Sequence, residues 1–158
     1  MPHNFGRWDK VSLVSAVGTT GKLFFHIKLK DAFKAKDIAK FLRTLLRHVP
    51  GNLVLFWDGA NQHKGPFIRK VQEDNPRLRL EFLPPYGFDY NADEGVWAHL
   101  KWNQLANFTP HDTAEQTRGL RRGMRRMQRE SNLVRACFRR TKLPRRDVEL
   151  LLNHADCP

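Results

Sequence analysis

An α/β fold with a mixed sheet is what this 158-residue sequence predicts, and three observations predict it. Runs rich in Val, Leu and Phe recur at strand length. Segments with apolar residues at helical spacing separate the later runs. Turn signals (TTG, PG, PP) punctuate the junctions. The expected order is hairpin, helix, strand, helix, strand, then helices.

Residues 10–18, KVSLVSAVG, read as a buried strand. TTG turns the chain, and residues 22–29, KLFFHIKL, form the hairpin partner. Over residues 36–49, Ile38, Phe41, Leu42, Leu45, Leu46 and Val49 recur at helical spacing, and Pro50-Gly51 stops that helix. NLVLFWDG is an apolar strand that ends on Asp58. Residues 63–73 carry a weaker helical pattern, and RLRLEFL alternates as a strand up to Pro84-Pro85. One long helix is expected over about residues 113–139, with Leu120, Met124, Met127, Val134 and Phe138 as its apolar stripe. Cys137 is ordinary packing on that helix. A short last helix is expected over residues 146–152.

Length bounds the chain to one domain with a single core. A 41% hydrophobic fraction with 11 Phe and 4 Trp excludes a disordered chain. No run reaches the ~18 apolar residues of a membrane helix, so no membrane partner is expected. The first ten residues carry no apolar signal-peptide core. Cys137 and Cys157 have neither metal-ligand nor redox spacing, which fits a reducing cytoplasm.

Charge is the informative bulk property. The net charge is +12, and residues 117–146 hold twelve basic side chains against the single acid Glu130. An ordinary charge run is a solvated helix face. Here eleven uncompensated like charges repel one another, which favours a polyanionic partner. Arg118, Arg121, Arg122, Arg125, Arg126 and Arg129 are the candidate contacts. An RNA-binding basic module is a weaker reading, because the strands offer no exposed aromatic platform.

Two carboxylates stand out. Asp58 sits at the carboxyl end of an apolar strand, before Gly59, where open α/β sheets gather their functional groups. A strand-end Asp is also a common turn residue. Glu94 falls in the first turn of a helix, where the dipole favours a negative charge for structural reasons too. Trp97 and Lys101 lie at i+3 and i+7 from Glu94, and Trp97 is expected to pack the helix on the sheet and aim Glu94. A strand-end and a helix-start carboxylate together suit a hard divalent cation. Two such ions serve phosphodiester chemistry.

These motifs carry a resemblance. LVLFWDGANQHKG followed by LEFLPPYGFDYNADEGVWAHLK resembles the DDE transposases of bacterial insertion sequences, in the mariner-type superfamily. The resemblance runs from about residue 10 to about residue 142. It matches Asp58 to the second catalytic Asp, His63 to the His that follows it, and Glu94 to the catalytic acid. Asn91, Trp97 and Lys101 complete the motif. The family usually has Asn-Pro where this chain has Asn91-Ala92, and Asp93 is an additional carboxylate; the position of Trp97 favours Glu94 as the ligand.

The resemblance implies a ribonuclease-H-like fold, Mg²⁺ or Mn²⁺ on Asp58 and Glu94, and DNA strand cleavage and transfer at transposon ends. It implies a bacterial cytoplasmic, nucleoid-associated protein. Residues 1–110 are expected to form a partial catalytic domain and residues 111–158 its basic helical extension. The family's first strand, which is central and carries the first catalytic Asp, is expected upstream of KVSLVSAVG and outside this chain, as is a helix-turn-helix. Without it the KVSLVSAVG and NLVLFW strands each lack a neighbour. Either they close on each other, or a second polypeptide (an upstream transposase fragment or another copy) supplies the strand, or the isolated chain is unstable. The competing expectation is a non-catalytic DNA-binding remnant of the same ancestry.

Overall fold

A computed structural model describes residues 10–142; the expected last helix, Asp9, Arg145, Arg146, His154 and Cys157 lie outside them. The chain opens with a hairpin. β1 (Val11–Val17) pairs antiparallel with β2 (Leu23–Leu29), with Val14 opposite His26. The turn closes through Gly18 N–H to Lys22 O at 2.8 Å, and Gly21 takes φ +87. There a side chain would also strike the backbone oxygen of Ser131, 2.6 Å from an added Cβ.

Period-2 alternation gives the hairpin two apolar faces. Val14, Ala16 and Phe24 meet helix α1 (Ala35–His48), while Leu13, Val17, Leu23 and Phe25 meet the helices of the second half. α1 buries Ile38, Ala39, Phe41, Leu42, Leu45 and Leu46, the stripe its periodicity predicts. Asp37 caps its start by accepting the Lys34 N–H at 2.9 Å. Arg77 ties down its end: the guanidinium donates to Leu46 O in the last turn and to Val49 O and Gly51 O just beyond it.

β3 (Leu53–Trp57) and β4 (Leu78–Phe82) pair in parallel, joined by a short 3₁₀ turn at Asn61–His63 and by α2 (Pro66–Asp74). Pro66 starts α2 where its missing N–H costs nothing. After the double proline and a second 3₁₀ turn come α3 (Ala92–His99) and a π-helical turn at Leu100–Gln104.

Two expectations are corrected. The long helix is two: α4 (Thr113–Gln128) and α5 (Ser131–Arg139), broken at Glu130 with φ −103 and ψ 68. The break lets Val134 and Cys137 fold back onto the cluster that also holds Met124, Met127, Val96 and Leu100. One continuous helix could not present both sets to the same core. The second correction concerns the sheet. Among the described residues β1–β2 and β3–β4 are separate two-stranded sheets, so the α/β class holds but the single mixed sheet does not. β1 and β3 do not close on each other. α1 spans them instead, packing against Val14 and Ala16 on one side and Leu53 and Leu55 on the other.

Candidate active site

Asp58 leaves the tip of β3 and folds into a tight turn. Its Oδ1 accepts the N–H of Ala60 at 3.0 Å. His63, delivered by the 3₁₀ turn, places Nδ1 at 2.8 Å from the same oxygen and at 3.1 Å from the Asp58 carbonyl. The imidazole stacks on Trp57 with centroids 4.5 Å apart and planes 2° from parallel. His63 is thereby fixed, with 14% of its side chain exposed, while Asp58 keeps 62% exposed. Oδ2 of Asp58 has no protein partner among the described residues. Lys64 follows with its ammonium 5.6 Å from the centre of the Phe82 ring.

The acidic turn of α3 is built from Asn91, whose side chain accepts the Asp93 N–H at 3.1 Å and caps the helix. The two neighbouring carboxylates then part. Asp93 turns toward β1, where Ser15 Oγ donates to both its oxygens at 2.7 and 2.8 Å, and Trp97 Nε1 donates to Oδ2 at 3.0 Å. Burial pushes the Asp93 carboxyl above its ordinary range, with the two donors pulling the other way. Glu94 stands exposed one step along the helix.

Trp97 differs from expectation. It remains 36% exposed and holds Asp93 through its indole N–H, while Ala92, Val96 and Leu100 do the packing. Lys101 falls in the π-helical turn, which breaks the i+7 spacing. It lies exposed, 5.0 Å from the Trp102 ring centre.

Asp58, His63, Asn91 and Asp93 line one elongated cavity of about 490 Å³; Glu94 and Lys101 do not line it. No group of three His, Cys, Asp or Glu side chains suited to a metal occurs among the described residues. Carboxylate oxygens are the donors a hard divalent cation takes. Of the two carboxylates lining the cavity, Asp58 keeps an oxygen, Oδ2, without a partner among the described residues, whereas both Asp93 oxygens accept hydrogen bonds. Sequence reasoning missed Ser15. Its only signal was a hydroxyl on the inward-alternating face of an apolar strand.

The basic face is carried by α4. Thr117, Gly119, Gly123, Met124 and Met127 are buried, leaving Arg118, Arg121, Arg122, Arg125, Arg126 and Arg129 exposed. Of these six, only Arg126 has a carboxylate nearby among the described residues, Glu130 at 3.9 Å. Arg121 and Arg125 flank a polar recess of about 220 Å³ against Phe25, His26 and Ile27 of β2. Guanidinium groups in a row with few carboxylate neighbours make this face strongly positive. No described helix is long and apolar enough to cross a membrane.

No curated protein and no solved structure matches the chain significantly. A family model described as DDE superfamily endonuclease matches residues 3–118, spanning β1 through the first turns of α4 and both acidic turns. Asp58, the Asn91-capped helix start and the strands that carry them all fall inside that match, and the chain belongs to the DDE superfamily endonucleases.

Proposed function

We propose that this chain is a transposase-type member of its family, acting on the phosphodiester backbone of duplex DNA with Mg²⁺ or Mn²⁺. One observation carries the reading. Asp58, with its open Oδ2, and Asp93 at the start of α3 line one cavity, in a chain whose α4 presents a row of exposed arginines. A bound cation would activate the attacking oxygen and stabilise the departing one. Asp58 would hold it, with Glu94 as the second proposed ligand on the strength of the motif match, although Glu94 lies outside the cavity lining. His63 fixes the Asp58 carboxylate against the turn, and the α4 arginines hold the DNA backbone without reading bases.

A second reading, a DNA-binding piece without cleavage activity of its own, is favoured for the isolated chain by a specific observation. Among the described residues no three His, Cys, Asp or Glu side chains come together as a metal site, and Glu94 does not line the cavity that Asp58 lines. Both readings expect duplex binding that weakens steeply between about 50 and 200 mM salt. They part on cleavage. Supercoiled plasmid incubated with the chain and Mg²⁺ stays intact under the second reading. Nicking that disappears in Asp58→Ala and Glu94→Gln would establish the first. Salt-independent binding would remove the shared basis of both.

A further inference from the structure

The connection from β4 to α3 holds a strained residue that packing does not explain. Leu83 N–H donates to Trp57 O at 2.7 Å, so the chain leaves β4 fastened to the residue before Asp58. Pro84 then opens a tight turn, closed by Gly87 N–H to Pro84 O at 3.0 Å. Pro85 fixes a negative φ at the second position of this turn, and Tyr86 takes φ +61 at the third. That combination is a type II turn, whose third position calls for Gly or Asn. A bulky side chain in left-handed backbone is an outlier that its surroundings must hold in place. Burial cannot be the compensation, because Tyr86 is 94% exposed, the highest value of any large hydrophobic side chain described. Strain of this kind collects where a side chain has work outside the fold. Leu83, Tyr90 and Asn91, on either side of the turn, line the cavity that Asp58 lines, so Tyr86 stands on a loop at its rim. At the same strand end Phe82 is 51% exposed, with the Lys64 ammonium 5.6 Å from its ring centre. Exposed rings with a cation among them are the surface on which nucleobases stack.

We propose that Tyr86 is a stacking platform for an unpaired nucleobase, and that the chain thereby prefers DNA with an unpaired base beside Asp58 to a fully paired duplex. A paired base inside a duplex shows a protein only its edge. A base that has left its pair can lie flat on a ring, and stacking of that kind accepts any base. The turn gives the ring a fixed footing: Gly87 is closed against Pro84, where an added Cβ would fall 2.7 Å from the Pro84 oxygen. Lys64 is placed for the phosphate next to the stacked base. The α4 arginines, which meet backbone alone, cannot make this distinction between paired and unpaired DNA. The inference rests on the proposed reading that DNA is handled at Asp58, and it adds the state of the DNA that is preferred there.

The probe is a short duplex carrying one unpaired 2-aminopurine, a base whose fluorescence falls when it stacks, and the control is the same duplex with that base paired to thymine. Divalent metal is left out, so the readout is binding. Wild-type chain is expected to quench the unpaired probe and to bind it about tenfold more tightly than the control. Tyr86→Phe is expected to keep both effects. Tyr86→Gly is expected to lose the preference while its affinity for the paired control and the salt dependence of that affinity stay as in wild type. The same Gly variant is expected to unfold at a higher urea concentration, since glycine takes φ +61 without strain. A Gly variant that keeps the preference, or a Phe variant that loses it, overturns the proposal. So does a Gly variant that unfolds at lower urea, because the ring would then be serving the fold. Wild-type chain that binds both duplexes alike overturns this inference and leaves the DNA reading standing. Wild-type chain that binds neither removes that reading, and this inference with it.

Discussion

Asp93 and Glu94 are neighbours with opposite surroundings, and the difference is measurable. Asp93 lies under Ser15 and Trp97, and burial raises its carboxyl pKa despite both donors. A raised folded value means that the native state holds the proton more tightly than the unfolded chain does. The associated stability is full below the ordinary carboxylate range and is lost as pH rises through the folded value. Asp93→Asn, uncharged throughout, is therefore expected to be more stable than wild type near pH 7 and to lose that advantage by about pH 3. Urea midpoints at the two pH values check this; a less stable variant at neutral pH would mean that the fold requires the carboxylate. Asp37 has the reverse sign. The Lys28 ammonium at 2.7 Å and then the Lys34 N–H hold its carboxyl low, so its contribution is present above the ordinary range and fades as acid protonates it. The motif spacing placed both acids at the start of α3. It could not show which turns inward, because the deciding partner, Ser15, lies 78 residues away.

Helix α4 is held close by the absence of side chains. A Cβ at Gly119 would come within 2.5 Å of the Phe108 ring, and one at Gly123 within 2.7 Å of Leu100 Cδ1. In open helix Gly→Ala gains about 1 kcal/mol, whereas overpacking a closed contact costs about 1–3 kcal/mol. Gly119→Ala is expected to destabilise the chain, and Phe108→Ala in the same molecule to turn the glycine substitution favourable. A double-mutant cycle in urea reads the sign change. Met124, fully buried on the same helix, is expected to cost about 2–5 kcal/mol as Ala. Periodicity alone predicted this helix, its start near Thr113 and its buried methionines. It did not predict the break at Glu130, since Met127 and Val134 are seven apart and satisfy one straight helix equally well. The break follows from tertiary demand: Val134 and Cys137 must share a core with Leu23 and Val96.

At the scale of the molecule, charge and pairing tell different stories. The arginine excess was countable in the sequence, and the fold gathers six of those side chains on the exposed face of one helix. Arg122→Gln and Arg125→Gln are each expected to lower the salt slope of duplex binding by about one, uniformly across DNA sequences. Fluorescence anisotropy titrations at several salt concentrations measure it. The four strands were equally legible, each within a residue or two of its observed ends. How they associate was not, because pairing depends on neighbours far apart in the chain. The two sheets share no ladder among the described residues, and α1 is the body that packs on both. A load drawn between β2 and β4 would thus meet only side-chain contacts across the middle of the molecule. Pulled that way in an optical trap, the chain should part into two halves at low force, before either ladder shears.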